Sequence, residues 1–497
     1  DTPYERTHPL TLANRFSTFP STLEVPMTES INALITSTTA QYTQQALRVF
    51  GGFGLPLSTS TLSGSGGLDQ QRPTPITAAH EQMRPTEAEL FMSVLFPGVW
   101  AATTSVLVET RKRLGSAWAE GLVRKAGEDN LRILDAGGAG AGIVAVREVL
   151  RAEWERMHGE GAGEDAPPLG QGVVLTGSDT LRKKASSILE NTTFIPRLPD
   201  YIHATDPNPK GKFDIVIAPY TLWQIREDYA RKNHVLNLWS LLKDDGGVLI
   251  LLEKGVAQGF EAVAGARDML LEHRILSPPP EDAERKPEHH ERIDAPPDSE
   301  GRKETGMIVA PCTNHVGCPL YVQKGRVRGR NTICKFAQRY HRPEYLQKVF
   351  TANLKGGSGK NHEDVQFSYL SVMRGRDLRA ASPSSSLLAS NNNDTATTPP
   401  PLHQNQASTD RAFAGFENGA SPQSPPQAHS LSLPRTVFPP LKRTGHVILD
   451  VCTPAGTLER WTVPRSFSRR AFRDARKSSW GDLWALGAKS RIVRYLK

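Results

Sequence analysis

The chain has 497 residues, 38% of them hydrophobic, with 60 Lys and Arg against 52 Asp and Glu and a formal charge of +8. Four cysteines in 497 residues argue against a secreted disulfide scaffold. No window is read as reaching the roughly 18–20 apolar residues that cross a bilayer. The sequence starts at Asp1 rather than Met, as expected where a leader has been removed.

Residues 1–128 read as mainly helical. Ile31, Leu34, Ile35, Tyr42, Ala46 and Val49 recur at helical spacing and predict one helix over 28–49. The Gly/Ser-rich run 51–67 reads as a loop. Pro85 then opens a helix, and a second is predicted over 101–114.

Residues 129–276 alternate strands and helices. Apolar runs at 131–135, 173–175, 213–218 and 248–253 predict parallel strands covered on both faces. Helices are predicted over 143–156 and 255–272. Residues 277–305 read as a polar insertion, and 306–380 as a basic segment with cysteines and a strand at 367–373. Residues 381–435 are rich in Ser, Asn, Pro, Thr and Gln and read as a disordered insert. Residues 436–497 hold a strand at 446–451, expected at the far edge of the same sheet, and a basic tail.

The charge is concentrated. Residues 321–350 hold eight Lys/Arg and one acid, and 441–497 hold thirteen and four, so these two stretches carry +16 and the rest −8. A basic face of this kind suits a phosphate backbone. Its candidate contacts are Arg326, Arg328 and Arg330, and in the tail Arg469, Arg470, Arg473, Arg476 and Lys477. Arg469, Arg473 and Lys477 recur every four residues, which puts them on one helical stripe. Arginine binds phosphates bidentately and stacks on bases.

The cysteines fall inside or beside those segments. Cys312, Cys318, Cys334 and Cys452 have five, fifteen and 117 residues between them. Thiolates bind zinc or hold an iron–sulfur cluster, and the spacing is not the paired short knuckle of structural zinc. Four ordinary buried cysteines remain the alternative.

Leu134-Asp135-Ala136-Gly137-Gly138-Ala139-Gly140-Ala141-Gly142 follows a strand and opens a helix. Asp135 with Gly138, Gly140 and Gly142 is the candidate cofactor loop, since glycines admit a ligand close to the backbone. Asp179 is the nearest acid after the second strand. The 213–218 strand ends in Ala218-Pro219-Tyr220-Thr221, where Ala218 and Pro219 are the further cofactor candidates. An amine-directed methyltransferase places an Asn or Asp there. Ala218 cannot orient an amine, and no cysteine nucleophile stands at this turn or at Glu253-Lys254.

The glycine loop, the 213–220 strand, Leu252-Glu253-Lys254-Gly255, Pro311-Cys312 with Cys318-Pro319, Phe367-Ser368-Tyr369-Leu370 and Trp480-Gly481-Asp482-Leu483 occur in one order. That order resembles the methyltransferase-like family of the mitochondrial small ribosomal subunit, over about 80–380 and 440–497, in a fungal form. The resemblance implies a class I, Rossmann-like α/β methyltransferase fold with an N-terminal helical region and a four-cysteine iron–sulfur insertion. It implies a mitochondrial matrix protein that binds small-subunit rRNA and small-subunit proteins during assembly, without methyl transfer and without a membrane span. It also implies a [4Fe-4S] cluster on Cys312, Cys318, Cys334 and Cys452 and a pocket for S-adenosylmethionine. An active rRNA methyltransferase and a zinc-stapled RNA-binding protein are the competing readings.

Overall fold

The computed structural model describes residues 7–16, 20–50, 57, 73–159, 167–200, 212–276, 303–325, 327, 330–351, 361–379 and 430–496. In chain order the strands begin with β1 (Arg132–Asp135), β2 (Gln171–Leu175), β3 (Thr192–Ile195), β4 (Ile215–Pro219) and β5 (Val248–Lys254). Next come β6 (Ile275–Leu276), β7 (Glu304–Ala310), β8 (Phe336–His341) and β9 (His362–Arg374). The last are β10 (Arg435–Thr436), β11 (Leu441–Lys442), β12 (His446–Cys452), β13 (Leu458–Pro464) and β14 (Ser490–Val493). The chain divides into two compact units: Ser17–Ala266 with Gln323–Ser371, and Asp1–Phe16 with Arg267–Val322 and Val372–Lys497.

The larger unit is Rossmann-like. Its strands run in the order β3-β2-β1-β4-β5, each parallel to its neighbour. β9 follows β5, and β8 pairs antiparallel with β9. Every residue of β4 and β5 is buried, which explains apolar runs that do not alternate. β1 and β4 are neighbours from which the chain winds outward in both directions. Such a switch point leaves a crevice beyond the carboxyl ends of the strands.

Two helical expectations are corrected in this unit. Residues 28–49 form two helices, Val25–Ala33 and Thr39–Phe50. The break leaves Thr38 free to cap the second, its hydroxyl accepting the Gln41 N–H at 3.4 Å. Pro85–Leu114 is one 30-residue helical run with an 18-residue window of mean hydropathy 1.6. By length and composition it could cross a membrane, contrary to the sequence reading. Its window is 89% buried inside the fold, which accounts for its apolarity.

In the second unit β6 and β7 pair in parallel. A separate five-stranded sheet has the order β10-β12-β13-β14, with β11 on β12. β12 therefore does not complete the larger unit's sheet as expected; it pairs antiparallel with β13. Val447, Leu449, Val451, Trp461, Val463, Phe472 and Trp484 form the core beneath it. The chain's start belongs to this unit. The His8 N–H and Thr11 hydroxyl both donate to Asp474 Oδ2 at 2.9 Å. The Phe16 N–H donates to Asp482 Oδ1 at 2.9 Å. Residues 430–435, expected within the disordered insert, include a turn at Ser430–Ser432 and the first residue of β10. The rest of that insert lies outside the described residues, as do 277–302.

Candidate functional site

The glycine loop after β1 closes on its own acid. Asp135 is fully buried. Its Oδ1 accepts the N–H groups of Gly137 at 3.1 Å and Gly138 at 2.5 Å. Its Oδ2 accepts those of Gly140 and Gly142, both at 2.9 Å. Burial pushes the Asp135 carboxyl pKa up, and the four amide bonds oppose that shift. Gly138, Gly140 and Gly142, expected on a cofactor, thus have their amides engaged by Asp135. Gly140 turns at φ +102°, and a Cβ there would sit 2.2 Å from Leu189 Cδ1, so only glycine makes this turn.

A cavity of about 290 Å³ lies beside the loop in the larger unit. Its walls are Ala136 and Gly137 after β1, Leu175 of β2, Pro219 at the end of β4 with Tyr220 and Thr221 after it, and His234. A preceding segment, with Thr74, Ile76 and Ala78, and the helical residues Phe91, Leu95 and Val99 complete most of it. Gly137 is forced by close approach, because a Cβ there would lie 2.5 Å from the Pro219 carbonyl oxygen. The segment crosses the end of β2, where the Gly177 N–H donates to the Ala78 carbonyl at 2.7 Å. Among the described lining residues none is Asp, Glu, Lys or Arg. His234 is held neutral, burial taking its pKa down to about 4.

Of the sequence candidates, Pro219 stands on the cavity wall and Ala218 is buried just behind it in β4. Asp179 is elsewhere: its side chain is 74% exposed and pairs with Arg182 at 2.8 Å. The residue sequence reasoning missed is Tyr220. It is 7% exposed and sits at φ +58°, a conformation that costs a bulky residue about 1–3 kcal/mol. Its hydroxyl is buried with no hydrogen-bond partner among the described residues, a further cost of about 1–3 kcal/mol. The turn is fixed from below. Tyr220 N–H donates to the Leu252 carbonyl at 2.7 Å. Glu253 accepts the N–H groups of Leu222 at 2.7 Å and Trp223 at 3.0 Å. Burial raises the Glu253 pKa to about 7 and lowers that of Lys254 to about 8.

The cysteines are divided between the units. Cys334 precedes β8 in the larger unit, buried, its carbonyl accepting the Ser368 hydroxyl at 2.7 Å. In the second unit Cys312 and Cys318 share the loop after β7, and Cys452 ends β12 opposite Arg435. Three buried arginines hold that loop. Arg267 donates to the Asn314 carbonyl at 2.6 Å and the Val316 carbonyl at 2.8 Å. Arg379 donates to the Thr313 carbonyl at 3.0 Å, and Arg435 to the Pro311 carbonyl at 2.7 Å. Burial pushes the Cys318 thiol up to about 11 while the Arg267 charge pulls it down. Among the described residues no group of three or more His, Cys, Asp or Glu stands ready to hold a metal.

The basic helix is Arg469–Lys477. Ser468 caps it, accepting the Ala471 N–H at 3.2 Å. Ala471, Phe472, Asp474 and Ala475 are buried, whereas Arg469, Arg470, Arg473, Arg476 and Lys477 are exposed. Arg330 differs from expectation: its side chain is 7% exposed, 3.6 Å from Glu261, and stacks on Phe260. Arg326 and Arg328 lie outside the described residues.

The profile of the family described as mitochondrial small ribosomal subunit Rsm22 matches residues 130–485. The chain belongs to the Rsm22 family. It is 27% identical over 336 residues to Rsm22-cox11 tandem protein 2, mitochondrial, of Schizosaccharomyces pombe, covering 63% of this chain and 37% of that protein. Ribosome assembly protein RSM22, mitochondrial, of Saccharomyces cerevisiae is 27% identical over 280 residues, 52% of this chain and 41% of that one. Ribosome assembly protein METTL17, mitochondrial, of Homo sapiens is 25% identical over 277 residues, 56% and 40%. This Rsm22-family chain thus spans under half the length of each of these relatives. A solved structure of the plantazolicin methyltransferase BpumL with SAH aligns over 58% of this chain and 94% of that one, at 9% identity and TM-score 0.22. The Rossmann-like assignment rests on the strand order itself.

Proposed function

We propose that this Rsm22-family chain is an assembly factor of the mitochondrial small ribosomal subunit, acting in the matrix. It binds small-subunit rRNA through the exposed face of Arg469–Lys477, alongside small-subunit proteins, and does not transfer methyl groups. The family description and the relatives' names, both assembly and mitochondrial, support the first part. The observation that carries the RNA contact is a short helix with five exposed cations and an apolar, acid-anchored inner face. Replacing Arg469, Arg473 and Lys477 together by Gln should lower RNA affinity and flatten its salt dependence by about two in log–log slope, at roughly 0.7 per phosphate contact. An unchanged slope would refute this contact.

The four cysteines are read as thiolate ligands of a [4Fe-4S] cluster, with zinc as the alternative. The short loop that carries both Cys312 and Cys318 supports this reading, whereas among the described residues no group of three or more His, Cys, Asp or Glu is placed to hold a metal. Iron and acid-labile sulfide analysis after anaerobic purification decides between the metals, and zinc alone would refute the cluster.

The cavity at the β1/β4 switch favours a second reading, an active S-adenosylmethionine-dependent rRNA methyltransferase. Its apolar walls suit the adenine part of that cofactor, whereas its charged end has no charged partner among the lining residues. Transfer of labelled methyl to small-subunit RNA by the purified protein, lost in Gly140→Asp, would establish this reading and overturn the non-catalytic one.

A further inference from the structure

Residues 441–497 hold thirteen Lys and Arg and four acids. All four acids, Asp450, Glu459, Asp474 and Asp482, are at most 7% exposed. Each is used inside the fold. Arg460 and Arg494 close on Asp450 at 2.9 and 2.7 Å, and Glu459 takes the Trp461 indole N–H. Asp474 and Asp482 hold the chain's start. The outside of this segment therefore presents cations and no acidic side chain. β14 is the last strand of its sheet and pairs on one side only, with β13. Among the described residues no strand lies on its other edge, so alternate backbone N–H and C=O groups point outward. Along that edge Ile492, Val493 and Tyr495 are 62%, 46% and 87% exposed. Ile492 stands in register beside Arg460 and Val493 beside Glu459, which puts them on opposite faces. Lys489, Arg491 and Arg494 are interspersed with them, and residues 483–497 contain no acid. Arg491 is held over the Trp461 ring at 4.8 Å.

We propose that β14 is a docking edge for an extended acidic segment of a partner protein, which adds beside it as a further strand. Backbone bonds fix that segment, its apolar side chains pack on Ile492 and Val493, and its carboxylates face Lys489 and Arg491. Charge selects this occupant. Two copies of the edge would set Lys489, Arg491 and Arg494 against their like, so the edge rejects itself. A phosphate backbone would answer the cations but leave Ile492, Val493 and the outward backbone groups without a counterpart. The site is separate from the RNA contact of Arg469–Lys477 and from the cavity, and does not depend on either.

Fluorescence anisotropy on the full chain with short labelled peptides tests this. The probes are a peptide alternating Glu and Val, one alternating Lys and Val, and the Glu peptide N-methylated throughout. The Glu peptide should bind and slow hydrogen exchange at the β14 amides. The Lys peptide should bind at least about tenfold more weakly through like charge. The N-methylated peptide should lose as much, because it cannot donate backbone bonds. Lys489→Glu with Ile492→Ser should weaken the Glu peptide about tenfold and leave the unfolding temperature unchanged, since both side chains are exposed. Equal affinity for the Glu and Lys peptides, full affinity of the N-methylated one, or no binding at all overturns the proposal. So does poly(U) that protects the β14 amides as well as the Glu peptide does, which assigns the edge to RNA. A dimer that buries the same amides assigns it to a second copy and overturns the proposal too.

Discussion

Asp135 holds Gly142 across the whole glycine loop, its Oδ2 accepting the N–H at 2.9 Å from seven residues away. The loop's shape is thereby set by a side chain of the protein rather than by a ligand. Asp135→Asn would turn an amide NH₂ toward two N–H donors. We expect a loss of about 2–4 kcal/mol, since bonds to a charged group contribute about 1.5–3 kcal/mol each. Urea denaturation measures it, and a change under about 0.5 kcal/mol would show that Asp135 does not organise the loop.

Glu253 gives a pH dependence opposite to that of a salt-bridged carboxylate. Burial raises its folded pKa to about 7 from an ordinary 4.5. Between those values the folded chain binds more protons than the unfolded one, so stability falls as pH rises through the window. The amplitude is about 3 kcal/mol at 1.36 kcal/mol per pKa unit. Between pH 4 and 8 the wild type should lose about 3 kcal/mol more stability than Glu253→Gln, read from their melting temperatures, because His234 and Glu148 titrate in the same window in both chains. A Gln variant with the wild-type slope would assign the effect to another group.

Gly177 fixes the segment over the cavity. A Cβ there would lie 2.3 Å from the Ala79 carbonyl oxygen, so Gly177→Val should push residues 74–83 away and unmake the Ala78 bond. Hydrogen exchange in that segment should accelerate while the amides of β4 and β5 keep their protection. Wild-type exchange at 74–83 would mean that the segment is held by other contacts.

Asp474 anchors the chain's start. Asp474→Ala removes the acceptor for His8 and Thr11 and should cost about 2–4 kcal/mol. Proteolysis within residues 7–16 should become faster, with helix Arg469–Lys477 retained by circular dichroism. Unchanged cleavage would show that the anchoring is unimportant.

Much of the larger unit is legible in the sequence because its strands are covered on both faces. The apolar runs around Leu134, Val216 and Leu249 announce β1, β4 and β5. Tyr220 is not legible: nothing in Pro219-Tyr220-Thr221 announces a positive φ, which tertiary contacts impose. β13 is hidden for a different reason. Glu459 is 2% exposed, and its carboxylate accepts the Trp461 indole N–H at 2.7 Å. A buried acid breaks the alternation that marks a strand. β12 is recognisable as a strand, but an apolar run does not reveal which sheet it joins. The helical stripe of Arg469, Arg473 and Lys477 is readable since charge and period agree. Arg330 is not, because its burial depends on the distant Glu261.

Residues 8 and 16 wait for residues 474 and 482. During synthesis, at about 5–20 residues per second, the first segment emerges long before its acceptors exist. The larger unit lacks β8 and β9 for a shorter interval. Loop-closure entropy grows only logarithmically with span, so the final docking is slow to become available rather than weak once made. The second unit should therefore be the last part of the chain to acquire its native form; a truncation before Asp482 should leave the Phe16 N–H without its acceptor, and one before Asp474 the His8 N–H as well.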